Sequence, residues 1–365
     1  MSAGIPDTTI SDVSWYRSAV PALQIGPHEI GGEYGRALVI AEAGVNHNGD
    51  LLLAHRLIDA SADSGADAVK FQTFSASAVV TGGGATAPYQ EAAGSGTSQR
   101  SMLERLELPV TAWAELRNHA IDRELLFLST AFDRASLELL TDLGVDAVKV
   151  PSGELTNVMY LESHAACGLP ILASTGMANM EEVDAAVSIL TESTAGLALF
   201  HCVSAYPTPI AASNLRAIQT MRDRHHVPVG WSDHTAGNVA AIAARALGAA
   251  MFEKHVTLDR TMVGPDHRAS ADPAELTAYV EAIRACESAL GNGKKVPVDI
   301  EFENRRVARR SYYASRDIVE GEQLDAINIE ALRPVDGVPA SERLVGRTAA
   351  RAIVAGAPIE WNDLA

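Results

Sequence analysis

His234, in the run GWSDHT, and His255, in the run FEKHVT, stand 21 residues apart, each at the close of a short strand-like segment. Two imidazoles on neighbouring strand ends can share one metal ion and still leave positions for water and substrate. Taken singly, a strand-end histidine is equally a hydrogen-bonded structural residue. The company these two keep gives them meaning, because other segments of the same kind end in Glu42, Lys70, Thr130, Lys149, Ser152, Ser174 and His201. A lysine buried without an anion is expensive. Lys70 and Lys149 therefore point to an anionic ligand, or to ion pairs with neighbours such as Glu42 or Glu154. Period-two alternation sets Lys70 with Gln72 and Glu253 with His255, and turns Lys254 the other way. Asp233 directly precedes His234, so alternation turns its side chain away; its role is at most an indirect orienting one.

Elements that could bring these residues together follow from periodicity. Short apolar runs alternate with helix-like stretches from residue 37 to about 290, roughly every 30 residues, as a (β/α)8 TIM barrel requires. Eight strand candidates are found: 37 to 44, 68 to 74, 126 to 132, 147 to 153, 170 to 176, 197 to 203, 227 to 234 and 251 to 257. A doubly wound open sheet is the competing architecture, but no Gly-rich dinucleotide fingerprint follows the first strand. In a barrel the active site lies at the C-terminal strand ends, where this chain gathers its polar residues. Backbone donors at Thr175, Gly176 and Met177, where the chain turns into a helix, are expected to add a partial positive field for an oxyanion.

Residues 1 to 36 precede the barrel, and QIGPHEIGG within them reads as a hairpin able to plug its floor. Residues 75 to 110 form an insertion long enough to cover the site, or else a surface excursion. Residues 291 to 309 are polar and poorly periodic and read as a linker, leaving a compact tail from 310 to 365. The chain has 365 residues and a formal net charge of -17, which argues against nucleic acid and anionic membranes as partners. Cys167, Cys202 and Cys286 form no metal-clip spacing and read as buried thiols. With no apolar run of about 18 residues and no signal-like N-terminus, the sequence reads as cytoplasmic.

The runs AEAGVNHNGD, KFQTF, STAFD, KVPSGE, ASTGM, HCVSAYPTP, GWSDHT, EKHVT and GPDHRAS, in that order, resemble the sialic acid synthase (N-acetylneuraminate synthase) family. The tail RRSYYASRDIVEGEQLDAINIEALRP is similar to that family's small β-rich antifreeze-like (SAF) domain. The resemblance implies condensation of phosphoenolpyruvate with an N-acylated aldose, or its phosphate, to a 2-keto-3-deoxy nonulosonic acid, and a domain-swapped homodimer. It implies His234 and His255 as ligands of a divalent metal, manganese before magnesium or cobalt. It places Lys70, Thr130, Lys149, Ser152 and Ser174 on phosphoenolpyruvate. On the sugar side it places Glu42, Glu154, Ser204, Tyr206 and Asp266, with Arg333 reaching the partner's active site. Glu154 is the residue expected to handle a proton.

Two departures bear on the substrate. Ser204 stands where makers of N-acetylneuraminate often carry an asparagine, which fits relatives making legionaminic, pseudaminic or spore-coat sugar acids. RPVDG follows Leu332 where RPG is common. Tyr89 or Gln90 could substitute for an asparagine some members use in the insertion. A metal-dependent hydrolase using His201, His234, His255 and an aspartate has no need of the lysines. A catalytically inactive carbohydrate-binding protein has no need of an intact site.

Overall fold

The computed structural model describes residues 20–32, 35–81 and 99–365. Tyr89 and Gln90 lie outside these residues, as does most of the N-terminal extension. The chain divides into two compact units, Met1–Asn292 and Gly293–Ala365.

The first unit is the eight-stranded parallel barrel that periodicity predicts. After a hairpin of β1 (Leu23–Ile25) and β2 (His28–Ile30), its strands are β3 (Leu38–Gly44), β4 (Ala68–Thr73), β5 (Leu126–Ala131), β6 (Val148–Val150), β7 (Ile171–Ser174), β8 (Leu197–Cys202), β9 (Val229–Ser232) and β10 (Met251–His255). The sheet closes where β10 pairs with β3. Every residue of β3, β5, β6, β7 and β9 is buried. Strands covered on both faces lose the polar alternation of a half-exposed sheet, so they read as continuous apolar runs. Helices between them start on side-chain caps. Asp50 accepts from the backbone of Leu52 and Leu53 ahead of Leu51–Asp63, and Asn179 and Glu182 form a capping box ahead of Met180–Leu190.

Two apolar cores hold this unit. One fills the space between strands and helices, with Val39, Phe71, Phe127 and Trp231 turned outward onto Leu57, Trp113, Leu140 and Ile218. The other fills the barrel floor, where Leu38, Ile40, Leu128, Leu172, Phe200 and Met251 join Leu23, Ile25 and Ile30 of the hairpin. Of the insertion, helices Ala76–Val79 and Gln99–Glu104 are described; Met102 and Leu106 pack on Val45 beside the mouth.

In the second unit β11 (Ser311–Ala314) and β12 (Ile329–Leu332) pair antiparallel. Short bridges extend the arrangement around a core of Ala314, Ile318, Leu324, Ile329, Val338, Leu344, Ile353 and Ile359. The segment expected as linker contains a helix, Glu301–Ala308. All eight of its residues are exposed, so it has no apolar stripe for periodicity to reveal. Its charges nonetheless suit a helix, with Glu301 and Glu303 in the first turn and Arg305 and Arg306 in the last.

Candidate active site

A cavity of about 550 Å³ opens at the C-terminal ends of the barrel strands. Its base is a group of buried charges from four strands. Lys70 Nζ lies 2.5 Å from Glu42 Oε2 and 3.6 Å from Glu253 Oε2, and donates to Thr130 Oγ1 at 3.2 Å. Lys149 Nζ lies 3.4 Å from the same Glu253 oxygen, donates to Ser174 Oγ at 2.7 Å, and sits 5.4 Å from the centre of the Phe200 ring. Alternation explains the grouping: Lys70, Lys149 and Glu253 occupy inward positions of β4, β6 and β10.

Their protonation is set by burial and by one another. Burial pushes Glu42 up to about 7, against the pull of Lys70. Burial acts on Glu253 in the same direction but is outweighed by Lys149 and Lys70, which hold it at about 2. Burial lowers Lys149, whereas on Lys70 it is overcome by Glu253 and Glu42, which raise it. Near neutrality Glu42 thus exchanges a proton readily, and whenever it is protonated the two ammonium groups face a single carboxylate. That surplus of positive charge on buried side chains suits a small dianion.

Beside this base stand the two imidazoles, their ring centres 5.7 Å apart. His234 Nδ1 donates to the Val203 carbonyl at 2.7 Å, which leaves the Nε2 lone pair bare. His255 Nδ1 is buried without a hydrogen-bond partner among the described residues. Burial, then the neighbouring His234, holds His255 at about 3, and burial also lowers His234, so both rings are neutral. Among the described residues no group of three His, Cys, Asp or Glu side chains is poised to hold a metal. Two neutral imidazoles with an unshared lone pair nevertheless fit a divalent ion whose remaining positions go to water and substrate. The Tyr206 ring packs 4.2 Å from His234.

Ser152, Ser204, Tyr206 and Asp266 line the same cavity. Burial raises Asp266 to about 6. Ser152 Oγ accepts the Gly176 N–H at 3.0 Å and lies 3.2 Å from Cys202 Sγ. That bond corrects one expectation. Of the three backbone donors foreseen after β7, Thr175 N–H is spent on the Phe200 carbonyl, because the parallel ladder continues one residue beyond the strand, and Gly176 N–H is spent on the Ser152 hydroxyl.

Other expected residues stand apart. Glu154 is not among the lining residues; its Oε2 accepts from Asn157 Nδ2 at 2.7 Å in the turn after β6. Arg333 is exposed on the second unit. His201 Nε2 meets the Ser213 carbonyl at 2.8 Å behind the cavity wall, which removes it from the set a hydrolase would need. Lys254 and Asp233 face outward, as alternation requires. Glu253, the carboxylate shared by both lysines, was legible only as an inward partner of His255 in FEKHVT, and Gln72, which donates to Glu42 Oε1 at 3.2 Å, only as an inward partner of Lys70.

A closed parallel barrel with buried lysines, carboxylates and two neutral imidazoles at its mouth has the make-up of an enzyme site for a small anionic substrate. Residues 57–295 match the NeuB family and residues 309–365 the SAF domain. The chain is 43% identical to the N,N'-diacetyllegionaminic acid synthase of Campylobacter jejuni over 87% of its length and 96% of that protein's. It is 42% identical to the protein of the same name from Legionella pneumophila, over 89% and 94%. Among solved structures, the N-acetylneuraminic acid (sialic acid) synthetase of Leptospira borgpetersenii, crystallised with citrate, is 35% identical and superposes with a TM-score of 0.69, covering 78% of this chain and 95% of that one. The chain belongs to the NeuB family and is a nonulosonic acid synthase, a phosphoenolpyruvate-condensing transferase.

Proposed function

We propose that the aldose is a 2,4-diacetamido hexose of the legionaminic type, condensed with phosphoenolpyruvate to a diacetamido nonulosonic acid. The similarity to the two N,N'-diacetyllegionaminic acid synthases carries this reading. Ser204 supports it, since a short side chain leaves room in the cavity for a second acetamido group. N-acetylmannosamine is the alternative, favoured by the likeness to the Leptospira synthetase.

In this reading Lys70, Lys149, Thr130, Ser152 and Ser174 bind the phosphate and carboxylate of phosphoenolpyruvate. His234 and His255 hold a divalent ion, Mn2+ by preference, which when bound supplies Lewis-acid polarisation of the aldehyde oxygen. Asp266 and Tyr206 orient the sugar so that its aldehyde carbon meets C3 of phosphoenolpyruvate. The new C–C bond takes its electrons from the C2–C3 double bond; the aldehyde oxygen gains a proton, and positive charge develops at C2 beside Glu253. Water then adds at C2 and loses one proton, and as the C2–O bond breaks phosphate departs with the bridging oxygen while the new C2 hydroxyl loses its remaining proton, leaving the 2-keto acid. Glu42, with its proton near balance at neutral pH, is placed to give or take these protons. Glu154 can share that work only by moving into the cavity. A homodimer in which Arg333 reaches the partner's active site belongs to the same proposal; Arg333→Ala is expected to raise the KM for the sugar and leave that for phosphoenolpyruvate unchanged.

The test is to incubate the manganese-loaded protein with phosphoenolpyruvate and, separately, 2,4-diacetamido hexoses, N-acetylmannosamine and its 6-phosphate, following phosphate release and product mass. Turnover confined to a diacetamido sugar, and stopped by a chelator, supports the reading. Preference for N-acetylmannosamine overturns the substrate assignment, and turnover indifferent to chelator overturns the metal.

A further inference from the structure

Directly behind the two imidazoles, on the outer face of the barrel wall, lies a second group of buried charges that the reaction does not touch. Asp233 and Lys254 are the residues immediately before His234 and His255. Lys254 Nζ lies 3.6 Å from Asp233 Oδ1, with the two side chains 6% and 0% exposed. Asp233 Oδ1 also accepts from the backbone N–H of Thr235 at 2.8 Å and from its hydroxyl at 2.7 Å, while Lys254 donates to the Thr235 carbonyl. The residues on both sides of His234 are thus tied to the residue before His255. Helix Pro273–Leu290 backs the pair: Lys254 Nζ stands 5.2 Å from the centre of the Tyr279 ring, and the Tyr279 hydroxyl lies near Asp233 without a hydrogen bond of normal geometry.

Stability alone does not account for this arrangement. Removing two charges from water is costly, and an apolar pair of similar volume commonly serves a fold as well or better. What an apolar pair cannot supply is direction. The ladder between β9 and β10 ends with Asp233 N–H on the Glu253 carbonyl. Beyond that point the chain carrying His234 leaves the sheet; the β8 side holds it through the Val203 carbonyl on its Nδ1 and the Thr208 N–H on its carbonyl, and the β10 side holds it through the Asp233, Thr235 and Lys254 bonds.

We infer that Asp233 and Lys254 form a latch across β9 and β10 that positions His234 and His255 relative to each other, making them positioning residues for a bound metal ion. The inference rests on the reading of the imidazoles as metal ligands. Loss of the latch lets the two rings drift apart while the lysines that hold phosphoenolpyruvate, on the inner face of β4 and β6, stay in place.

The test uses the full-length protein and three variants, Asp233→Asn, Lys254→Met and the apolar pair Asp233→Leu with Lys254→Met. Mn2+ affinity is measured by electron paramagnetic resonance without substrate, phosphoenolpyruvate affinity by calorimetry without metal, and folding by melting temperature. The expected result is an apolar double variant that melts near the wild type, binds phosphoenolpyruvate within about twofold, and binds Mn2+ about 10- to 100-fold more weakly, the range for lost outer partners of metal ligands. A double variant with wild-type Mn2+ affinity overturns the latch and leaves the pair a structural one, whether or not the single variants fold. A wild-type protein that binds no Mn2+ overturns the metal reading first, and the latch with it.

Discussion

The two ends of the barrel are built from the same eight strands and solve opposite problems. At the floor, Leu38, Ile40, Leu128, Leu172, Phe200 and Met251 close over Leu23, Ile25 and Ile30, and nothing polar needs a partner. At the mouth the inward positions pass to Glu42, Lys70, Lys149, Glu253 and His255, all buried or nearly so, with Glu42 Oε2 and Glu253 Oε2 facing the two ammonium groups and His255 Nδ1 without a hydrogen-bond partner among the described residues. One end spends its interior on stability. The other holds charges in a buried, polar-lined cavity that suits an anionic substrate. The contrast explains why the barrel tolerates such a cluster, since the free energy that holds the fold is gained elsewhere.

Lys70→Met breaks the mouth most severely. It leaves Glu42 and Glu253 facing one ammonium group, so turnover should fall by at least about 10³-fold and stability by about 3–5 kcal/mol, the loss expected when one partner of a buried ion pair is removed. Denaturant melts and phosphate release measure both. Ile25→Ala attacks the floor instead. It should cost about 2–5 kcal/mol of stability while the folded fraction keeps its KM for phosphoenolpyruvate, and a shifted KM would contradict the division of labour.

A subtler effect concerns Asp266, raised from 3.8 to about 6 by burial. A carboxyl whose folded-state value lies above its unfolded one favours the folded state fully below the unfolded value, and that contribution is lost as pH rises through about 6. Asp266→Asn lacks this loss. The variant should therefore gain several degrees in Tm over the wild type at pH 7.5 relative to the same comparison at pH 4, and an equal difference at both pH values would refute the burial. The smallest effect belongs to His201→Asn, which should change turnover by less than about threefold, because His201 serves the Ser213 carbonyl outside the cavity.

The barrel was legible because strands covered on both faces announce themselves as unbroken apolar runs. Lys70, Lys149, His234 and His255 were legible because polar residues at the ends of such runs have few other places to go. The role of Glu253 was less so. The run FEKH puts two charged residues side by side, and only the period of two separates the inward glutamate from the outward lysine; that both lysines share it depends on β4, β6 and β10 closing into a ring. The helix Glu301–Ala308 was missed because it buries nothing. The backbone donors after β7 were overestimated because a turn motif in sequence does not reveal how far the ladder runs. Glu154 matched a motif, yet its carboxylate is held by Asn157 three residues on, a local bond that competes with reaching into the cavity.

The central claim, that this mouth carries out condensation at C3 with water attack at C2, is tested most directly by phosphoenolpyruvate labelled with 18O in its bridging oxygen. The account predicts that, with a diacetamido hexose, every released phosphate carries the label while the product's C2 oxygen comes from solvent. Label retained in the sugar acid, with unlabelled phosphate, would mean P–O cleavage and would contradict it.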